Sequence, residues 1–159
     1  MEVFKMKWNF NDAEQYVQAK EYIDTAIIPL IPYSFSSDED IQKLSFQKEV
    51  MDVFTTQIEK ELKGRIFLIP EYYYLKDAKI EEEKQNLDQQ IEHVQSQPFN
   101  HVFLLTFDSQ WRKKVKEFDA DLLWIPSIKE GNLNQVDKQQ LIQAQVEEVL
   151  QLIKESWSN

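Results

Sequence analysis

Polar and aromatic side chains follow three short apolar runs of this sequence, and their types suit ligand binding or catalysis. The runs lie at residues 27–32, 66–70 and 102–107, and hydroxyl or carboxyl side chains follow each one directly. If the runs are parallel strands, these side chains meet at one edge of the sheet, where doubly wound folds bind their ligands. Two carboxylates there could share a proton, hold a divalent cation or act as acid and base. We therefore expect a ligand site at Tyr33, Ser34, Glu71, Tyr72, Asp108 and Ser109.

Each of these side chains also has a purely structural explanation. Asp108 can cap a short helix that follows its strand, Glu71 can be solvated, and the tyrosines can pack between helix and sheet. The two histidines add no obvious base, because His101 starts its strand at the opposite edge and His93 falls on a polar helix. No catalytic set is complete, so the pattern favours binding over nucleophilic catalysis.

Several chemistries are excluded by composition. The chain has no cysteine, which removes disulfides, thiolate catalysis and iron–sulfur clusters, and two separated histidines are too few for a closed zinc site. The two glycines, Gly64 and Gly131, are isolated, so neither a P-loop nor a dinucleotide fingerprint can form. A nucleophile elbow of the Gly-x-Ser-x-Gly type is absent. We predict no cofactor and no metal.

The charge and hydropathy of the chain limit its partners. Its 159 residues carry a formal net charge of −10, which repels nucleic acid, and the basic cluster 112–116 has acids close by. The N-terminus lacks the apolar segment of a signal peptide, and the longest apolar run, 26–33, is too short to span a membrane. We expect a cytoplasmic protein that binds neither nucleic acid nor membrane.

The order of elements predicts the fold class. The three runs and a fourth at 122–126 are apolar on consecutive positions, as in parallel strands buried on both faces. Amphipathic helical patterns lie between them, one starting with a capping box at Ser36. We predict one α/β domain over residues 1–159, three-layered and doubly wound, with a mainly parallel sheet of four to five strands. If Val3–Trp8 forms a fifth strand, the topology is flavodoxin-like, 2-1-3-4-5, with Ile27–Ile31 at a sheet edge.

A resemblance adds to this interpretation. Residues 18–32 read Gln-Ala-Lys-Glu-Tyr-Ile-Asp-Thr-Ala-Ile-Ile-Pro-Leu-Ile-Pro. This block resembles the N-terminal region of the YpiF-like family of small Bacillus-type proteins, and the chain length and single-domain layout are similar. That family has no assigned activity. The resemblance therefore implies a Firmicute cytoplasmic protein and assigns no catalytic residue.

Two classes of function remain. The first is a non-catalytic binding or interaction protein that engages a protein or small-molecule partner through the strand-end surface or a helix face. The alternative is a small-molecule hydrolase or transferase in which Glu71 and Asp108 are the working groups. A flat aromatic surface at the strand ends would favour interaction, whereas a closed concavity holding both carboxylates would favour the enzyme.

Overall fold

The computed structural model describes residues 6–114, 116–128 and 135–158. Helices and strands alternate along this part of the chain, and two short 3₁₀ helices lie at Lys20–Tyr22 and Ser109–Lys114. The α-helices are α1 Phe10–Gln18, α2 Asp38–Glu61, α3 Ile80–Val94 and α4 Gln135–Ser158, and the strands are β1 Thr25–Tyr33, β2 Ile66–Leu68, β3 Tyr72–Leu75, β4 His101–Thr106 and β5 Asp121–Trp124.

The strands form a sheet in which every described pairing is parallel. β1 is central, with β4 on one side and β5 beyond β4. β2 pairs with the first part of β1, and β3 pairs with its last part. If β2 and β3 are counted as one interrupted strand, the sheet has four strands. Numbered again along the chain, with β4 as the third strand and β5 as the fourth, their order across the sheet is 2-1-3-4. This flavodoxin-like order places the carboxyl ends of β1, β3 and β4 at the same edge of the sheet.

A bulge separates β2 from β3. Residues 25–27 pair with 66–68 and residues 30–33 with 72–75, so Ile28 and Pro29 face the three residues 69–71. The carbonyl oxygen of Ile27 accepts a 2.9 Å hydrogen bond from the nitrogen of Ile69. Because alternate residues of a strand direct their backbone groups to the same side, the nitrogen of Pro29 points at the bulge. A proline is tolerated within a central strand here because no ladder hydrogen bond is lost.

Helices cover both faces of the sheet and make three layers. α2 and α4 pack on one face, which we call the α2 face, and α3 packs on the other, the α3 face. On the α2 face the fully buried helix residues include Phe54, Ile58, Val146 and Ile153. On the α3 face, Leu87 and Ile91 of α3 cover alternate residues of β1 and β4. The apolar residues at consecutive strand positions are therefore buried on both sides, as the sequence predicts.

Three details of the sequence-based prediction are corrected. β1 has strands on both sides, so the placement of Ile27–Ile31 at a sheet edge is wrong. Of the expected strand Val3–Trp8, residues 3–5 lie outside the described residues and residues 6–8 form no strand, although Met6 O accepts a 2.8 Å hydrogen bond from Leu68 N. The N-cap of α2 is Ser37, whose side chain accepts from Asp40 N, and not Ser36.

A polar contact fixes the end of α4 at the start of β1. Arg65 makes two hydrogen bonds to Asp24, at 2.9 and 3.0 Å, and its guanidinium lies 3.7 Å from the ring centroid of Trp157. The indole of Trp157 donates to Thr25 Oγ1 at 2.9 Å. Burial acts to raise the pKa of Asp24, but the hydrogen bonds from Arg65 and Thr25 outweigh it and hold that pKa below its ordinary value.

Candidate functional site

Of the six side chains expected from the sequence, Tyr33, Ser34, Asp108 and Ser109 lie at the carboxyl ends of β1 and β4. Glu71 and Tyr72 do not follow the end of a strand, as the sequence predicted, because Glu71 lies in the bulge and Tyr72 begins β3 in register with Leu30. The six side chains fall into groups because consecutive residues of a strand point to opposite faces of the sheet. Tyr72 and Tyr74 of β3 lie on the α3 face, where their rings are stacked with centroids 6.1 Å apart. Tyr73 and Glu71 lie on the α2 face, where Glu71 contacts Lys48 of α2.

On the α3 face, the half-buried Asp108 belongs to a hydrogen-bond network that extends to the buried Trp111. The hydroxyl of Tyr74 donates to Asp108 Oδ2 at 2.5 Å and accepts from the indole nitrogen of Trp111 at 2.8 Å. The other carboxylate oxygen accepts from the backbone nitrogen of Gln110, so Asp108 also caps the 3₁₀ helix that begins at Ser109. Burial, and then the charge of Asp108, raises the pKa of Tyr74 far above its ordinary value. Tyr74 is therefore a proton donor in this network at any physiological pH.

Tyr72 is bonded to α3. Its hydroxyl donates to the carboxylate of Glu83 at 2.6 Å, and burial followed by this hydrogen bond raises the pKa of Tyr72 well above its ordinary value. The ring of Tyr72 packs beside Tyr74. Tyr72 thus fastens the edge strand β3 to the first turns of α3.

On the α2 face, Glu71 lies between a lysine and a tyrosine. Lys48 Nζ is 3.1 Å from Glu71 Oε2 and 2.5 Å from Asp52, and the hydroxyl of Tyr73 donates to Glu71 Oε1 at 3.2 Å. Burial acts to lower the pKa of Lys48, but the two carboxylates outweigh it and raise that pKa. Glu71 also lines a cavity of about 430 Å³, together with Pro29, Asp52, Thr55 and other residues.

A third group joins the end of β1 to α2. The hydroxyl of Ser34 donates to Asp40 Oδ2 at 3.0 Å, and Lys76 donates to Asp40 Oδ1 at 2.9 Å. These bonds, that of Lys76 first, hold the pKa of Asp40 below its ordinary value. Ser34 is buried, and its oxygen also accepts from the nitrogen of Ser36. Ser34 therefore stabilises the turn that leads into α2.

The arrangement does not join the two acids in one site. Glu71 accepts from Tyr73 on the α2 face, whereas Asp108 accepts from Tyr74 on the α3 face. The cavity beside Glu71 is not lined by Asp108. The geometry therefore provides no shared proton and no acid–base pair across a common substrate.

Apolar side chains, by contrast, are exposed together at this edge. We call Tyr33, Phe35, Tyr73 and Leu75 the strand-end patch. Tyr33 is paired in register with Leu75, and its ring meets that of Tyr73 edge to face at 6.3 Å. The exposed fractions are 41 % for Tyr33, 80 % for Phe35, 49 % for Tyr73 and 56 % for Leu75. Neighbouring exposed aromatic residues mark surfaces that bind other molecules more often than isolated ones do.

Comparison with known proteins identifies the family. A family model described as a protein of unknown function, DUF2487, matches residues 14–157. The chain belongs to this family. It is similar to the uncharacterized protein YpiF of Bacillus subtilis (strain 168), with 31 % identity over 153 residues that cover 96 % of this chain and 99 % of the relative. No solved structure matches the chain. The resemblance at residues 18–32 therefore extends over nearly the whole length.

The sequence did not reveal which strand-end residues of this family member are exposed. Three consecutive tyrosines at 72–74 have high strand propensity, and this was the available signal for β3. Pro70 argued against a strand at these tyrosines, because a proline after an apolar run indicates the end of a strand. Asp40 and Lys76, which hold the edge together, are distant in sequence and carry no recognisable motif.

Two other regions of this family member contain clustered aromatic or basic side chains. A cavity of about 560 Å³ lies between α1, α3 and β2, with Tyr16, Phe67 and Phe99 among its lining residues. In the basic cluster, Arg112 lies 4.2 Å from the ring centroid of Trp124 and Lys114 pairs with Glu81 and Glu117.

The described residues contain neither a membrane-spanning helix nor a cluster of metal-ligating side chains. None of the helices in the described ranges is long and apolar enough to cross a membrane. Histidine, aspartate and glutamate side chains do not gather in threes, as a metal site would need, anywhere in the described part of the chain.

Proposed function

We propose that this family member is a non-catalytic interaction protein that binds a protein partner through the strand-end patch. The observation that carries the proposal is the joint exposure of Tyr33, Phe35, Tyr73 and Leu75 beside polar groups that are already bonded to one another. Aromatic residues of this kind supply most of the affinity in protein interfaces, because they bury a large area with little loss of side-chain freedom.

The six expected site residues take different parts in this proposal. Tyr33 contacts the partner directly. Glu71 borders the patch through its bond to Tyr73, and Ser109 begins the 3₁₀ helix that follows β4. Ser34, Tyr72 and Asp108 hold the strand ends in place through their bonds to Asp40, Glu83 and Tyr74. The rigid edge limits the entropy that binding must cost, because little of the surface has to be ordered on association.

The cellular setting is part of the same proposal. We place the protein in the cytoplasm of Bacillus-type Firmicutes, on the basis of its similarity to YpiF and of its acidic composition. A net charge of −10 favours a partner that is not a nucleic acid. The alternative, a small-molecule hydrolase or transferase, would need Glu71 to act without Asp108, in the cavity that also holds Asp52 and Thr55.

A pair of matched variants tests the proposal. Phe35 and Phe10 are each 80 % exposed, but Phe10 starts α1 and Phe35 belongs to the patch. We expect Phe35→Ser to shift the protein from larger complexes to its free size in size-exclusion chromatography of cell extracts, whereas Phe10→Ser leaves the distribution unchanged. Equal behaviour of the two variants would rule out the patch as the binding surface.

A further inference from the structure

The open edge of β3 has unused backbone groups. Lys76 N donates to Tyr33 O at 2.9 Å, so the even-numbered residues of this segment direct their backbone groups toward β1. Tyr73 and Leu75 therefore direct theirs away from the sheet. Leu75 O accepts from Ala78 N in the following turn. Among the described residues, the N–H groups of Tyr73 and Leu75 donate no hydrogen bond, and the carbonyl oxygen of Tyr73 accepts none.

Exposure at this edge matches the backbone pattern. The side chains of Tyr73 and Leu75 are about half exposed, and neither belongs to the buried clusters that α2 and α3 form with the sheet. Edge strands are usually protected by charges, prolines or an overlying element, because their free groups attract another strand. β3 contains only tyrosine and leucine and has neither a charge nor a proline.

The surroundings of the edge are acidic. Residues 33–43 and 71–83 hold eight acids and three lysines, and Lys76 is already paired with Asp40. The first turn of α3 contributes Glu81, Glu82 and Glu83, of which Glu83 accepts from Tyr72 and Glu81 pairs with Lys114. A strand added here would alternate its side chains between Tyr73 and Leu75 on one face and these acids on the other.

We infer that β3 accepts an added strand, and that the partner is an extended segment with apolar and basic side chains in alternation. The inference rests on the proposed function and names the class of partner for the same surface. Main-chain hydrogen bonds to Tyr73 and Leu75 supply register, as in other cases of strand addition. Apolar side chains contact the strand-end patch, and basic side chains meet the first turn of α3.

Synthetic octapeptides of alternating valine and lysine, or of alternating valine and glutamate, are suitable probes for an NMR titration of the ¹⁵N-labelled protein. We expect the valine–lysine peptide to bind at least tenfold more tightly than the valine–glutamate peptide. The amide signals of Tyr73 and Leu75 should shift, and their hydrogen exchange should slow. Equal affinity of the two peptides, or unshifted Tyr73 and Leu75 amides, overturns strand addition.

Two variants of Leu75 distinguish the contribution of its backbone N–H to peptide affinity from that of its side chain. Leu75→Pro removes an N–H that β1 does not use, so the β1–β3 pairing is retained and peptide affinity should fall at least tenfold. Leu75→Ala keeps that N–H and should change affinity less than threefold. Similar losses in both variants would refute pairing through the backbone, and the wild-type amide shifts decide the matter if Leu75→Pro does not fold. The comparison of Phe35→Ser with Phe10→Ser does not depend on these peptides. If strand addition is refuted, that comparison still tests whether a partner binds to the strand-end patch.

Discussion

Replacing Tyr74 by phenylalanine removes one buried oxygen that joins β3 to the segment after β4. That oxygen donates to Asp108 at 2.5 Å and accepts from Trp111 at 2.8 Å, and Trp111 is fully buried. A hydrogen bond to a charged group contributes about 1.5–3 kcal/mol, and a buried donor without a partner costs about 1–3 kcal/mol. Since the two effects share one network and do not add fully, we expect Tyr74→Phe to lower the free energy of unfolding by about 3 kcal/mol.

Urea denaturation measures this change, and the neighbouring tyrosine is the control. Tyr73 is 49 % exposed and bonds to Glu71 at 3.2 Å, so Tyr73→Phe should lower the free energy of unfolding by less than about 0.5 kcal/mol. The denaturant slope should stay unchanged in both variants. If Tyr74→Phe costs less than about 1 kcal/mol, the bond between Tyr74 and Asp108 does not stabilise the fold and this part of the account is refuted.

Three further predictions concern stability. The pKa of Asp24 is lowered in the folded state, so the ionised carboxylate adds to the free energy of unfolding at neutral pH, and this addition is lost as pH falls below the ordinary pKa of 3.8. In the Asp24→Asn variant, the free energy of unfolding should therefore fall less between pH 7 and pH 3 than in the wild type. An unchanged loss would contradict the bond to Arg65. Leu87→Ala, at a fully buried position of α3, should cost about 2–5 kcal/mol in urea denaturation, and a loss under 1 kcal/mol would mean that α3 is not packed on the sheet. Trp157→Phe removes the bond to Thr25 and should cost about 1 kcal/mol by thermal unfolding, and an unchanged melting temperature would count against it.

The layered fold could be predicted from sequence because strands that are buried on both faces have apolar residues at consecutive positions. Consecutive apolar residues at 102–107 and 122–126 indicate parallel strands, and the helical patterns between them require crossovers. The central position of β1 could not be predicted, since strand order depends on packing between distant segments. The order 2-1-3-4-5, with a strand at Val3–Trp8, placed Ile27–Ile31 at an edge, and the real place of Pro29 opposite the bulge follows from where Ile69 pairs.

The arrangement of the candidate site depended on that bulge. One extra residue at 69–71 shifts the register of β3 by one relative to β1, and a shift of one residue exchanges the two faces of a strand. Tyr72 and Tyr74 consequently face α3, and Tyr73 and Glu71 face α2. The sequence could predict that Ser34 and Asp108 follow strands, but it could not predict that Tyr72 begins a further strand or which of the expected residues share a face.

Site-specific photo-crosslinking tests the proposed interaction most directly. A photoreactive phenylalanine analogue placed at position 35 in living cells lies in the strand-end patch, and the same analogue at position 10 has the same exposure at α1. The account predicts one dominant crosslinked protein for Phe35 and none for Phe10, with the Phe35 crosslink lost when Tyr33 and Tyr73 are replaced by serine. Crosslinks of equal yield at both positions, or none at Phe35, would contradict it.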